Sequence, residues 1–261
     1  MSNIKYINKV VQYPTGHREE RLSNQSKPKI EIIDKETALV LETGELIRRK
    51  QPKTKYDCIL TVQTQLIRSR EKIFNNAGVH IPNVWEVVLS FEDSIKDIKV
   101  AEEKNRLFLK KMRRKYSGIK YGVWRELQMP RKVWHFHYIF WHDTEKINFT
   151  GTEIKKIWGN GKASAKQINT EEDFINFLFY LTNYTYSFNG KNKKKINSLK
   201  YIDANVKLFS CSRGLEKPTI IYTDKRNTDE MPMLSSNRKQ MFNNEMVPTC
   251  VFYGPKKEEN K

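Results

Sequence analysis

The sequence predicts an α+β fold from three observations. Short runs rich in β-branched and aromatic residues, the clearest being Val84-Trp85-Glu86-Val87-Val88-Leu89-Ser90-Phe91, have the character of buried strands. Longer segments between them carry a helical period or helix-end signals, as at Asp57 to Ala77, Asp93 to Tyr116 and Thr170 to Ser187. The order that results, strand, helix, two strands, helix, strand, helix, strand, is an α+β order.

Each element has its own justification. Residues 1–55 are charged and patternless and read as a basic arm with short strands; 56–223 form the main domain; 224–261 lose the apolar period and read as a flexible tail. In the first helix Ile59, Val62, Leu66, Ile73 and Phe74 share a face, Gly78 ends it, and Pro82 bars continuation. After the strand at 84–91, Asp93 or Ser94 can cap a helix whose last turns carry Lys110, Lys111, Arg113, Arg114 and Lys115, complementing the negative helix end. Strands at 121–128 and 133–141 are joined through Met129-Pro130-Arg131-Lys132 into a hairpin. A helix near 153–158 and a strand near 163–168 lead to Thr170, an N-cap followed by Glu171, Glu172 and Asp173. The charge run at 191–195 reads as loop, and 207–212 as a strand ending at Arg213-Gly214.

Composition narrows the function. Among 261 residues, 48 Lys and Arg stand against 30 Asp and Glu, and the net charge of +18 makes polyanions the first candidates for a partner. The 38% hydrophobic content supports an ordinary packed core. No apolar run approaches the ~18 residues of a membrane span, and the opening residues lack a secretory leader, so a cytoplasmic protein without a membrane partner is expected. Cys58, Cys211 and Cys250 show no close pairing, which points away from a disulfide framework or a cysteine zinc site. Gly159-Asn160-Gly161-Lys162 lacks the spacing of a phosphate loop, so no ATP-driven motor is indicated.

The hairpin and the helix after it carry the candidate chemistry. His135 and His137 stand two residues apart on a strand, hence on one face. With the turn centred on Pro130-Arg131, Glu126 falls opposite His135 and diagonal to His137, giving a two-histidine, one-carboxylate set with open positions for a divalent ion. A slip of one residue would turn Glu126 away. On the helix after Thr170, Phe174, Phe177, Leu178 and Leu181 form an apolar stripe, and Asp173, Asn176, Tyr180, Asn183, Tyr184 and Ser187 a polar flank, with Tyr180 and Tyr184 one turn apart. Taken alone, such tyrosines ordinarily line a core edge. Beside a divalent cation, a phenol of pKa about 10 becomes a usable nucleophile, and on a basic protein the combination suggests attack on a DNA phosphodiester.

Between Asp57 and Pro218 the chain resembles the HUH endonuclease superfamily, specifically the single-domain replication initiators of rolling-circle plasmids and phages. The resemblance rests on four pieces in order: the Arg-rich helix ending in Asn at Arg68 to Asn76; the strand Val88-Leu89-Ser90-Phe91; Glu126 before His135-Phe136-His137; and Tyr180 to Ser187, similar to Y-x-x-K-Y-x-x-K. The stretch Phe209 to Pro218 is similar to the Ser-Arg-Gly-Leu segment that follows in these initiators. The resemblance implies an antiparallel central sheet with packed helices, an RRM- or ferredoxin-like palm. It also implies Mg²⁺ or Mn²⁺ on Glu126, His135 and His137, and nicking of single-stranded or hairpin origin DNA by Tyr184 or Tyr180. A covalent 5′-phosphotyrosine and a free 3′-hydroxyl primer follow, then rejoining, with a separate host helicase and polymerase as partners. Single-tyrosine relatives keep the position matching Tyr184. Both lysine positions of the pattern are changed here, to Asn183 and Ser187, and Thr182 or a lysine of the 191–195 loop is the candidate replacement.

Two rival readings share these residues. A relaxase or transposase would use the same chemistry. A non-catalytic RRM-like module would need no metal and would expose aromatics on adjacent strands, where a few of Trp85, Trp124, Trp134, Trp141 and Trp158 could stack on bases.

Overall fold

A computed structural model of the protein describes residues 6–24, 30–93, 95–184, 193–223, 233–242 and 245–255. The chain divides into two compact units, a central one spanning Pro52–Lys217 and a second made of Met1–Gln51 with Pro218–Lys261. Among the described residues no helix is long and apolar enough to cross a membrane.

The central unit is α+β. Its elements are α1 (Ile59–Ala77), β1 (Val84–Ser90), α2 (Ile98–Lys115), β2 (Lys120–Gln128), β3 (Val133–Trp141), α3 (Gly151–Trp158), β4 (Ala163–Ile168), α4 (Glu171–Thr182), α5 (Lys193–Ser198) and β5 (Phe209–Cys211). The five strands form one sheet in the order β5-β2-β3-β1-β4, every neighbouring pair antiparallel. The central strand, β3, is apolar or aromatic at almost every position because both of its faces are covered.

Alternation along β3 sorts side chains between the two layers. Trp134, Phe136, Tyr138 and Phe140 point one way, where the Phe108 ring of α2 meets Tyr138 at 5.5 Å and the Trp158 ring of α3 at 5.9 Å. His135, His137, Ile139 and Trp141 point the other way, toward α1 and α4. There α1 comes so close to β2 that a methyl group on Gly122 would stand 2.6 Å from Ile73 Cδ1. The indole of Trp124 donates to Ser69 Oγ at 2.9 Å, and Phe74 stacks on Phe174 at 5.6 Å, tying α1 to the sheet and to α4.

Several expectations need correction. The cap of α2 is Asp97, whose side chain accepts from the Lys99 amide, in place of Asp93; Ser94 lies outside the described residues. Helix α4 ends at Thr182, and the extended backbone of Asn183 carries the chain away. Thr, Asn and Tyr beyond that point are weak helix formers, and the Thr182 hydroxyl already back-bonds to the Leu178 carbonyl at 2.7 Å. The expected extension to Ser187 lies outside the described residues. The lysine run, read as loop, enters a short helix, α5.

The second unit corrects the arm and the tail. Tyr6–Gln12, Arg18–Asn24, Thr219–Thr223, Met233–Phe242 and Glu245–Tyr253 form a five-stranded antiparallel sheet, accompanied by a small sheet of Ile30–Ile32, Thr37–Val40 and Leu46–Arg48. Strands from opposite ends of the chain pair, as Val251 with Glu20, and the Tyr13 and Phe252 rings stack at 5.6 Å. Pairing between the two termini leaves no local period for a sequence to display.

Candidate active site

The β2–β3 register sets Glu126 opposite His135 and Trp124 opposite His137, so Glu126, His135 and His137 share the face toward α1 and α4. Glu126 Oε2 lies 3.2 Å from His137 Nε2. His135 is held differently: Ser90, its cross-strand neighbour on β1, places Oγ 3.1 Å from His135 Nδ1, which leaves Nε2 as the nitrogen with freedom to bind.

Charges at this face are tuned by burial and proximity. Burial alone would raise the Glu126 carboxyl, but the hydrogen bond from His137 and the charge of Lys195 overcome it and hold the carboxyl below its ordinary value. Burial, then the neighbouring His137, push the His135 imidazole down, favouring the neutral form that binds metals. A spacing of 3.2 Å between Glu126 and His137 suits adjacent ligands of a divalent ion with bonds of about 2.1 Å. The buried Nδ1 of His137 has no hydrogen-bond partner among the described residues, so Nε2 carries the ring's polar contact. Among the described residues no three His, Cys, Asp or Glu side chains form a preassembled metal cluster. Two of the three expected donors already touch, and His135 is turned to Ser90.

The tyrosines stand on either side of the end of α4 and differ sharply. Tyr180 is 54% exposed and its ring meets His137 edge to face at 6.2 Å. Tyr184, past the helix end, is 4% exposed, with its carbonyl accepting from Gln63 Nε2 at 2.6 Å. They are not stacked one turn apart, because the helix stops between them. Burial, then Glu126 and Glu86, raise the Tyr180 phenol; burial and Glu126 raise Tyr184 further. Two carboxylates beside a phenol oppose phenolate formation, so chemistry at either tyrosine calls for positive charge.

Three contributors were not singled out from sequence. Lys195 of α5 donates to the Tyr180 carbonyl at 2.7 Å and sits 3.6 Å from Glu126 Oε2. Glu86 of β1 faces Tyr180 and His137 from the next strand, its carboxyl raised by burial, with Lys166 of β4 opposite it. Ser90 orients His135. For Glu86 and Ser90 the available signal was the alternation of β1, which puts both on the His137 face.

The other quoted segments converge around the site. Arg70 of α1 lies over the Phe179 ring at 4.0 Å and reaches Thr182 Oγ1 at 3.4 Å, docking the Arg-rich helix onto α4. Asn76, near its end, accepts from the Glu216 amide at 3.0 Å and donates to the Glu216 carbonyl at 2.9 Å, which locks α1 to the segment after β5. Trp85, Trp124, Trp134, Trp141 and Trp158 are all buried, as are Tyr121, Phe136, Tyr138 and Phe140. Among the described residues the sheet therefore offers no aromatic platform of the kind the RRM-like reading needs. His142 organises the turn after β3, its Nδ1 accepting from the Glu145 amide at 2.8 Å.

Residues 87–189 match the family model of the replication-associated protein ORF2. That span contains Glu126, His135, His137, Tyr180 and Tyr184, and it ends before Lys195. No curated protein and no solved structure matches the chain. The family match supports a role in the initiation of DNA replication.

Proposed function

We propose that this protein initiates rolling-circle replication by nicking and rejoining single-stranded origin DNA, with a tyrosine as nucleophile and a divalent ion as cofactor. One observation carries the reading: a half-exposed phenol, Tyr180, stands against the His137 ring that is paired with Glu126, so a nucleophile and metal donors meet at one surface.

Glu126, His135 and His137 would hold Mg²⁺ or Mn²⁺, which supplies charge that polarises the phosphorus and favours phenolate character. The protein's residues then have distinct tasks. Ser90 keeps His135 oriented. The Tyr180 oxygen attacks phosphorus, the bond from phosphorus to the 3′-oxygen breaks, and a 5′-phosphotyrosine and a 3′-hydroxyl result. The phenol's proton is balanced by the one taken up at the leaving 3′-oxygen. Rejoining is the same displacement in reverse. Exposure favours Tyr180 for the first attack over the buried Tyr184, reversing the weight that the single-tyrosine pattern gives to Tyr184. The protein's excess of basic residues suits sequence-independent phosphate contacts, and a separate helicase and polymerase would use the 3′-hydroxyl.

The test is covalent capture. The protein is incubated with a randomised single-stranded DNA library and Mn²⁺, with and without chelator, and protein-linked DNA is recovered after denaturation. The expected result is a chelator-sensitive adduct that disappears in Tyr180→Phe and persists in Tyr184→Phe. Salt-sensitive binding without any adduct would replace the nickase reading with a binding module.

A further inference from the structure

Lys195 is the most confined cation of the central unit's candidate site. Its side chain is 10% exposed, a costly position for an ammonium unless it is partnered. The partners it has are unusual. The Tyr180 carbonyl takes one of its three N–H donors at 2.7 Å. The ammonium lies 3.8 Å from the centre of the Tyr180 ring and 5.6 Å from that of Tyr184. Glu126 Oε2, at 3.6 Å, is beyond the length of a strong charge-assisted hydrogen bond. The cation thus stands over both tyrosines, with donor capacity left over among the described residues, and faces a carboxylate that it does not fully engage.

An anion arriving here meets a specific difficulty. Glu126 and Glu86 both face Tyr180, and both act on its phenol as negative charges. A phosphodiester brought up to Tyr180 would be repelled by the same two groups. Lys166 stands opposite Glu86 on the neighbouring strand, whereas Lys195 is the cation placed on the tyrosines themselves. An incoming phosphate oxygen would give its ammonium a closer acceptor than Glu126 and would leave Glu126 Oε2 to His137 or a metal.

We propose that Lys195, supplied by α5 and not by the tyrosine helix, is a phosphate-binding residue of this site, contacting a non-bridging oxygen of the DNA phosphate placed beside Tyr180. The inference rests on the reading of the site as a tyrosine nickase. It assigns the contact to a residue outside the span of the family match.

The experiment measures binding of a fluorescent mixed-sequence single strand to the full chain across a range of KCl concentrations, without divalent ion and with Mn²⁺. One lost phosphate contact lowers the slope of log affinity against log salt by about 0.7 for a single strand. The expected result is that loss of slope in Lys195→Gln and Lys195→Met, with the wild-type slope restored in Lys195→Arg. Thermal unfolding checks the fold; if Lys195→Met does not fold, Lys195→Gln, which keeps a donor for the Tyr180 carbonyl, carries the comparison. In covalent capture the uncharged variants should form adduct about a hundredfold more slowly. An unchanged salt slope in a folded Lys195→Gln overturns the proposal and leaves Lys195 a structural cation for Glu126. A reduced slope with no adduct in the wild type supports the phosphate contact and sinks the nickase reading on its own.

Discussion

Glu126 faces His135 directly across the β2–β3 hairpin, yet its carboxylate is paired with His137, 3.2 Å away on the diagonal. The reason is Ser90. By taking His135 Nδ1 from the other side, it draws that ring toward β1 and leaves Glu126 to the second histidine. Ser90→Ala should therefore free the His135 ring and weaken Mn²⁺ binding about tenfold to a hundredfold, as loss of an orienting partner does. Titration calorimetry measures this directly. An affinity equal to that of the wild type would show that His135 needs no help from Ser90.

Gly161 closes against the end of the strand that carries Ser90. It has φ +142°, and a methyl group on it would stand 2.3 Å from the Glu92 amide nitrogen and 2.5 Å from the Ser90 carbonyl. Gly161→Ala should cost about 2 kcal/mol or more, because both the backbone conformation and the space are lost. Chemical denaturation measures the cost. Since the clash includes the backbone of Ser90, Mn²⁺ affinity should fall in the same variant.

Ser69 and Trp124 join α1 to the sheet through one buried hydrogen bond of 2.9 Å. Ser69→Ala leaves the indole N–H without its acceptor, at an expected cost of about 1–3 kcal/mol. Ser69→Thr keeps a hydroxyl there and should recover part of the loss unless its extra methyl overpacks the contact. Denaturant midpoints at constant slope distinguish these outcomes.

Glu153 gives the fold a pH dependence remote from the tyrosines. Burial would raise its carboxyl, but the bonds from Lys115 and Tyr116, the latter 2.7 Å long, hold it below its ordinary 4.5. The folded state therefore binds this proton less readily than the unfolded chain does. Its contribution to stability is full above 4.5 and is lost as pH falls through the lower, folded value. Thermal midpoints of wild type and Glu153→Gln should differ near neutral pH and converge in acid. A difference that stays constant with pH would remove Glu153 from the acid response.

The sequence by itself determined the elements whose period is local and the hairpin whose register follows from its turn. Strands 84–90 and 133–141, the turn at 129–132 and the pairing of Glu126 with His135 were legible for that reason, because a strand's alternation decides which side chains share a face. Tertiary structure alone decided three things. Strand pairing between residues 6–24 and 245–253 joins segments too distant for any local signal. The end of α4 at Thr182 separates Tyr180 from Tyr184, one left half exposed and the other buried under packing that helical spacing cannot express. Lys195, one of a run of ordinary lysines, gains its place over both tyrosines only because α5 folds back against the sheet, where burial and a nearby carboxylate distinguish a single cation from its neighbours.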